Sequence, residues 1–235
     1  MEDPIGKAIY DYHHFKQADE IIIHTNYTED ERIDPKYFFR DEEEMPALEK
    51  TAMDLCVGNV LDVGAGAGSH SLILQNRGIN VTALEASPLA TSVIKERNVR
   101  QVICSDIYEF SGQSYDTIVI LMNGTGIGGT LEGLKILLLH LKSLLTPTGS
   151  ILIDSSDIKY LFEEEDGSIW VELSNDNYFG EMEYTVIYKD HKSSFNWLFV
   201  DFEILKSIAK LLGLKCKLVE KGPHHDYLAQ LEMVN

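Results

Sequence analysis

The chain has 235 residues, of which 44% are hydrophobic and 25% charged, a composition typical of a folded globular protein rather than a disordered or fibrous one. The 38 Asp and Glu against 20 Lys and Arg give a formal net charge of −18. This excess argues against an extended nucleic-acid surface, because a phosphate backbone needs compensating Lys and Arg. The most apolar stretch, 133–145, is interrupted by Lys135, His140 and Lys142, so we expect no membrane contact.

The cysteines and the first residues indicate the compartment. Cys56, Cys104 and Cys216 are odd in number, far apart and lie in apolar sequence, so they are predicted to be buried thiols in a reducing compartment. Residues 1–4 lack the basic and then apolar order of a signal peptide. We therefore expect a cytoplasmic protein.

Residues 1–58 are predicted to form a helical, acidic segment that caps the main domain. Asp3 followed by Pro4 is a typical helix start, and apolar residues then recur at helical spacing. Acidic residues next surround three adjacent aromatic residues, 37–39, and a second helix is predicted over 47–55.

From residue 59 onward, short apolar runs alternate with helical patterns, as in proteins with a parallel sheet. The predicted strands are 60–63, 80–84, 100–104, 117–121 and 150–153. Two last strands, 214–219 and 227–234, are joined by a connection so short that they must be antiparallel neighbours. We predict an α/β fold over 59–235, doubly wound, with a mostly parallel seven-stranded sheet.

After strand five the pattern changes to period two. Segments 169–173, 181–188 and 195–199 alternate and are separated by polar turns, which predicts an antiparallel β insertion within 155–199.

The clearest motif is the loop 64–68, Gly-Ala-Gly-Ala-Gly, which follows a buried strand and precedes a helix. Glycines permit a tight turn and a close approach of ligand to backbone, and the helix start offers free N–H groups, so a nucleotide-like ligand is expected. A dinucleotide fingerprint requires glycine or alanine at position 69, where the chain has Ser69. A nicotinamide-dependent oxidoreductase is therefore the least favoured function.

Asp62 followed by this G-x-G-x-G spacing resembles the first motif of class I S-adenosylmethionine-dependent methyltransferases. In that family the loop lies against the methionine part of the cofactor. Three further groups of family residues follow the ends of the next three strands. In the family they contact the ribose, the adenine, and the side of the cofactor that faces the acceptor. The resemblance implies these cofactor-binding residues: Asp62, Gly64, Ala65, Gly66, Gly68, Glu85, Ala86, Asp106, Ile107, Met122 and Asn123.

The resemblance also implies S-adenosyl-L-methionine as the cofactor, S-adenosyl-L-homocysteine as the product, and a Rossmann-like sheet with an antiparallel last strand. The sequences 123–126 and 154–157 are similar to those of uncharacterised bacterial methyltransferases, a likeness that names no substrate. Members that methylate amino groups of bases or of glutamine carry an Asn/Asp-Pro-Pro-aromatic sequence after strand four, and its absence here counts against those acceptors. The glycine-rich stretch 123–129 is either a flexible connection or shapes the substrate site.

Candidates for the acceptor pocket come from segments predicted near the strand ends, and they include two aromatic residues of the insertion. The insertion is either a wall over a small, partly apolar substrate or a surface that packs on the core or on a second copy of the chain in a homodimer. His70 is expected to pack or cap rather than to act in catalysis. The acceptor-pocket candidates are Tyr12, Arg40, Asn123, Asp154, Tyr188 and Trp197.

The histidine pairs 13–14 and 224–225 lack further ligands at recognisable spacing, so no metal is predicted. Methyl transfer is an in-line displacement that requires orientation and a dry cleft, with a base only if the nucleophile must lose a proton. The leading hypothesis is a small-molecule methyltransferase. The alternatives are a protein or nucleic-acid methyltransferase of the same fold and a non-catalytic protein that binds S-adenosylmethionine.

Overall fold

The computed structural model describes residues 2–162 and 178–234, which form six α-helices and eleven strands within those ranges. The N-terminal part contains α1 (Pro4–Phe15), β1 (Ile21–Thr25), β2 (Glu31–Ile33), a 3₁₀ turn (Pro35–Phe39) and α2 (Ala47–Leu55). The middle contains β3 (Asn59–Val63), α3 (Ser69–Asn76), β4 (Asn80–Glu85), α4 (Pro88–Glu96), β5 (Gln101–Cys104), β6 (Tyr115–Ile120), α5 (Leu131–Ser143) and β7 (Leu145–Ser156). The last part contains β8 (Glu181–Tyr188), β9 (His191–Leu198), α6 (Phe202–Leu211), β10 (Leu214–Lys221) and β11 (Asp226–Met233).

The larger sheet has seven strands in the order β10-β11-β7-β6-β3-β4-β5. Strands β3 to β7 are parallel, whereas β11 runs antiparallel between β7 and β10. This confirms the predicted α/β fold, including its antiparallel last strand.

The central strands are mostly apolar because helices cover both faces of the sheet. Leu61, Ile118 and Ile151 are fully buried on adjacent strands. The chain leaves β3 towards β4 on one side and later returns through β6 on the other side. Doubly wound sheets bind ligands at such a switch point, just beyond the carboxyl ends of the strands.

The smaller sheet has four antiparallel strands in the order β2-β1-β8-β9. It confirms the antiparallel character of the insertion, although the predicted strand 169–173 lies outside the described residues. It also corrects the prediction that the N-terminal segment is only helical. In β1, Ile22 pairs with Ile187 and Ile23 with Val186 of the distant β8, and β2 pairs in turn with β1.

The three cysteines differ in burial. All are free thiols, but only Cys56 is buried, whereas Cys216 is half-buried and Cys104 is exposed. Cys104 ends β5, an edge strand of the larger sheet, which explains why its apolar surroundings in sequence do not bury it. Within 2–162 and 178–234, no helix has the length and apolar character needed to cross a membrane.

Candidate cofactor and acceptor site

The glycine loop lies at the carboxyl end of β3 with a backbone that only glycine adopts easily. Gly64, Gly66 and Gly68 have φ angles of +70°, +56° and +81°. A Cβ atom on Gly66 would lie 3.6 Å from the Phe38 ring, and one on Gly64 would lie 3.7 Å from Ile127. The loop is therefore a tight left-handed turn that these two apolar side chains partly cover.

Asp62, in β3, is bonded to the helix that follows the loop. Its carboxyl group is 3% exposed and accepts a hydrogen bond from Ser71 Oγ at 2.6 Å. Burial raises its pKa. Because Ser71 lies in α3, the contact fixes the helix start relative to β3.

Glu85 ends β4 beside the loop. Its Oε2 accepts the Gly66 N–H at 2.8 Å, and its Oε1 accepts the Ser87 N–H at 2.9 Å. Burial raises the pKa of the carboxyl group, while these backbone N–H groups act in the opposite direction. Each carboxylate oxygen keeps a lone pair, so the group can accept two more hydrogen bonds from neighbouring hydroxyls.

The predicted adenine-binding residues, Asp106 and Ile107, follow β5, the next strand at the same edge of the sheet. Glu85 pairs with Cys104 in register, which places the segment after β5 beside the end of β4. Asp106 is exposed and accepts the Tyr108 N–H at 2.9 Å, whereas Ile107 is buried. Ala86 is exposed at the end of β4. The predicted ribose and adenine residues thus lie side by side.

The last group of predicted cofactor residues, Met122 and Asn123, forms a strained turn after β6. Met122 and Asn123 have φ angles of +66° and +61°, which are costly for residues other than glycine and concentrate at functional sites. Asp154, from the end of β7, holds this turn: its Oδ2 accepts the Asn123 N–H at 3.0 Å and its Oδ1 the Gly124 N–H at 2.8 Å. Burial raises the pKa of Asp154 to about 6 even though these two bonds lower it.

The side-chain amide of Asn123 is committed to the fold. It donates to Leu198 O at 3.1 Å and accepts Ser155 Oγ at 3.0 Å. A Cβ atom on Gly126 would overlap the Trp197 ring, so this glycine lets β9 approach closely. The glycine-rich stretch is therefore a packing surface for β9 rather than a flexible connection.

A buried ionic cluster adjoins the glycine loop. Arg40 donates from Nη2 to both oxygens of Glu49, at 2.7 and 2.8 Å, and Glu49 also meets His70 Nε2 at 2.7 Å. Although burial opposes both charges, His70 and Arg40 lower the pKa of Glu49, while Glu49 and Asp62 raise the pKa of His70. Sequence reasoning missed Glu49, since one more acidic residue in an acidic segment carries no signal.

One buried donor of this cluster is unpaired. Within the part of the chain that the structure describes, Arg40 Nε is the buried side-chain nitrogen or oxygen atom that lacks a hydrogen-bond partner.

The remaining acceptor candidates are not all brought together. Tyr188 is fully buried and donates its hydroxyl to Asp11 at 3.1 Å, because a phenol in an apolar core needs a partner. This corrects its assignment from pocket to core residue. Tyr12 lies against Phe39, with ring centroids 4.9 Å apart. Trp197 is stacked on Tyr184 and covers Gly126.

Asn123, Asp154 and Trp197 therefore surround the end of β6, whereas Arg40 joins the ionic cluster next to the loop.

The two adjacent histidines of α1, His13 and His14, both approach Glu96 Oε2, at 3.1 and 3.3 Å. Over the described ranges, no group of three or more His, Cys, Asp or Glu side chains is arranged to hold a metal ion.

Comparisons with known proteins agree with this geometry. The family model described as "Methyltransferase domain" matches residues 61–153. An S-adenosylmethionine-dependent methyltransferase from Bacteroides fragilis, crystallised with S-adenosyl-L-homocysteine, is 40% identical, with a TM-score of 0.93; the match covers 100% of this chain and 96% of that chain.

More distant structures share the fold. The CcbJ methyltransferase from Streptomyces caelestis is 13% identical with a TM-score of 0.63, and the match covers 100% of both chains. The sugar N-methyltransferase KedS8 from a Streptoalloteichus species is 14% identical with a TM-score of 0.56, and the match covers 85% of this chain and 92% of that one. No curated protein sequence matches the chain.

Proposed function

Because the chain belongs to the class I S-adenosylmethionine-dependent methyltransferases, we propose that it transfers the methyl group of its cofactor to a small-molecule acceptor. The observation that carries this proposal is that two aromatic side chains cover the carboxyl ends of β3 and β6. Phe38, in the 3₁₀ turn after β2, lies over the glycine loop, and Trp197, in β9, lies over Gly126. A covered site suits an acceptor that can be enclosed.

The described residues fit the cofactor on two observations. The left-handed glycines leave space that a Cβ atom would fill, and the half-buried Glu85 carboxylate has free lone pairs for a ribose diol. We assign Gly64, Ala65, Gly66 and Gly68, supported by Asp62, to the loop that the cofactor crosses. Glu85 with Ala86 would hold the ribose, Asp106 with Ile107 the adenine, and Met122 with Asn123 the sulfonium side.

S-adenosylmethionine supplies an electrophilic methyl group on its sulfonium centre, so the chain's residues mainly orient the partners and exclude water. Both carboxylate oxygens of Asp154 already accept backbone N–H groups. This supports a positioning role for Asp154 rather than a role as a base. Trp197 would form an apolar wall for the acceptor.

Two alternatives are less well supported. The net charge of −18 disfavours a nucleic-acid acceptor. A non-catalytic protein would have an open surface at Asn123, whereas its amide is bonded to Leu198 O beneath β9. The three free thiols support a reducing compartment such as the cytoplasm, and pairing of two copies in a homodimer stays a prediction.

The experiment is a continuous assay of S-adenosyl-L-homocysteine release with panels of small amines, alcohols, phenols and thiols. We expect turnover with one nucleophile class, and Trp197→Ala should raise the acceptor KM by about 10-fold or more with little change in cofactor affinity. Leu211→Ala, at a side chain that is 78% exposed, is the control. Turnover confined to protein or nucleic-acid acceptors, or cofactor binding with no turnover on any panel, contradicts the proposal.

A further inference from the structure

Two buried hydroxyl groups, those of Thr125 and Ser155, lie where the turn after β6 meets the end of β9. The two residues are 0% and 1% exposed, and Thr125 Oγ1 donates to Ser155 Oγ at 2.6 Å. Ser155 Oγ donates to Asn123 Oδ1 and accepts the Val200 N–H, both at 3.0 Å. Asn123 Nδ2 in turn donates to Leu198 O at 3.1 Å. These bonds join three segments of the chain: the turn, the end of β7 and the end of β9.

The direction of each bond in this network is fixed. A hydroxyl group has one proton to donate and two lone pairs that accept. The carbonyl of Leu198 can only accept, so the Asn123 amide turns its Nδ2 towards Leu198 and its Oδ1 towards Ser155. Ser155 then uses its proton on Asn123 and its lone pairs on Val200 and Thr125. Because the central hydroxyl has no unused position, the network holds its members in one arrangement.

The joined segments carry the proposed sulfonium side and the proposed acceptor side of the site. Met122 and Asn123 form the strained turn, whose backbone Asp154 also holds. Trp197, the proposed acceptor wall, directly precedes Leu198 in β9. The network is thus a bonded link between the turn that faces the methyl donor and the wall that faces the acceptor.

Methyl transfer is sensitive to the position of both partners. The nucleophile must lie within about 3–3.5 Å of the methyl carbon, and a displacement of about 1 Å can cost about 100-fold in rate. Thr125 and Ser155 are buried and bonded within the protein, so neither hydroxyl contacts a ligand. Any effect that they have on the reaction must be exerted through Asn123 and β9.

We propose that Thr125 and Ser155 are positioning residues for methyl transfer, because they hold the wall of β9 at a set distance from the Met122-Asn123 turn. This inference rests on the proposed function, since it takes Trp197 as the acceptor wall and the turn as the sulfonium side. The two hydroxyl groups then determine the turnover rate and not the affinity for the cofactor.

The test compares Ser155→Ala and Thr125→Val with a matched control, Thr117→Val. Thr117 is also 0% exposed, and its hydroxyl bonds to both the N–H and the carbonyl of Val57, at the opposite end of β6. With the acceptor found in the panels, kcat should fall by about 10- to 100-fold in Ser155→Ala, which loses three bonds, and by about 3- to 10-fold in Thr125→Val. S-adenosyl-L-homocysteine affinity, measured by calorimetry, should change less than about 3-fold in all three variants.

The control separates activity from stability. Thr117→Val should lower the free energy of unfolding at least as much as Thr125→Val, because it leaves two backbone groups unpaired, yet keep kcat within about 2-fold of the wild type. Thr125→Ser keeps the hydroxyl group and should retain kcat within about 3-fold, although the lost methyl group also costs stability. Equal losses of kcat in Thr117→Val and Thr125→Val overturn the inference. A loss of cofactor affinity in Ser155→Ala as large as its loss of kcat also overturns it.

Trp197 gives a readout that needs no acceptor. The chain has two tryptophans, Trp170 and Trp197, so in a Trp170→Phe background the fluorescence reports Trp197 alone. Acrylamide quenching should rise by about 2-fold in Ser155→Ala, which releases β9, and stay unchanged in Thr117→Val. Unchanged quenching in Ser155→Ala overturns the inference, and Thr125→Val replaces that variant in both measurements if it does not fold. If the panels yield no turnover, the proposed function fails, and the quenching alone decides whether the hydroxyl groups hold Trp197 in place.

Discussion

Two costly features lie at the ends of β4, β6 and β7. The Met122-Asn123 turn has positive φ at two non-glycine residues, and the half-buried carboxyl groups of Glu85 and Asp154 have raised pKa values. Both cost folding free energy, and neither is needed to build the sheet. Positive φ also occurs at non-glycine residues away from these strand ends, for example at Lys16 and Asn98, so at the residue scale the backbone supports the site only together with the motif.

The glycine loop allows a matched pair of substitutions. Gly66→Ala and Gly78→Ala both place a side chain at a positive φ, +56° and +81°, so each should lower the free energy of unfolding by about 1 kcal/mol. Gly78 has open space around it, whereas a methyl group on Gly66 fills the gap under Phe38. We expect only Gly66→Ala to weaken S-adenosyl-L-homocysteine binding, by about 10-fold or more. Equal affinities in calorimetry would remove Gly66 from the cofactor site.

The pKa of Asp154 predicts a pH dependence of stability. The folded pKa of about 6 exceeds the usual 3.8, so the native state holds its proton to higher pH than the unfolded state. The stabilisation is complete below pH 3.8 and is lost as the pH rises through 6. Between pH 5 and 7 the wild type should lose about 1 kcal/mol more unfolding free energy than Asp154→Asn.

Urea unfolding at the two pH values measures this difference. Glu49, His70 and Tyr37, which act electrostatically together with Asp154, are present in both proteins, so their own titration largely cancels. An identical pH slope in the two proteins would show that Asp154 titrates normally.

At the scale of elements, α1 is the part that joins the two sheets. Its Asp11 is 2% exposed and receives hydrogen bonds from Tyr188 of β8 and from Lys7 and Lys189. Burial would raise the pKa of Asp11, but Lys189, Lys7 and Tyr188 together lower it, so the carboxylate stays charged. On its other side α1 reaches Ser87, whose hydroxyl donates to Asp3 at 2.5 Å.

Removing that link should loosen the smaller sheet. Asp11→Ala leaves the buried Tyr188 hydroxyl and the two lysines without their acceptor, so we expect a loss of about 2–4 kcal/mol of unfolding free energy. Hydrogen exchange should accelerate in β1 and β8 more than in β3 or β6. The exposed Asp19→Ala is the control. Uniform acceleration in all four strands would mean that α1 does not stabilise the smaller sheet selectively.

The elements also show what a sequence can and cannot predict. The sequence predicts β3 to β6 to within about two residues, because a buried parallel strand is a continuous apolar run between turns. It predicts only the middle of β7, which extends from Leu145 to Ser156 rather than over 150–153. In contrast, β1 and β2 are five and three residues long, and β1 pairs with the distant β8, a pairing that no local pattern reveals. The proposed cofactor residues follow the ends of successive strands, so the strand order in the sequence is enough to predict them. The acceptor candidates are not predictable in this way. The sequence does not show that Tyr188 is buried in the core whereas Trp197 lies against Gly126.

At the scale of the whole molecule, two distant segments build one cover. Residues 21–33 and the insertion strands β8 and β9 form a single sheet, although most of the larger sheet lies between them in sequence. We propose to regard 1–58 and the insertion within 155–199 together as a cap on the methyltransferase domain of 59–235. The likeness to the Bacteroides fragilis protein spans the whole chain, so that protein shares the cap.

The charge of the whole molecule gives a last prediction, which separates small from large acceptors. A chain with net charge −18 should repel nucleic acids, so we expect no binding to tRNA or duplex DNA in fluorescence titrations even at about 50 mM salt, where phosphate contacts are strongest. S-adenosyl-L-homocysteine is a zwitterion without net charge, so its affinity for the proposed site should change less than about 3-fold between 50 and 300 mM salt. Nucleic-acid binding that falls steeply with salt would instead reveal a basic surface strong enough to overcome the net charge. Small molecules would then no longer be the favoured acceptors.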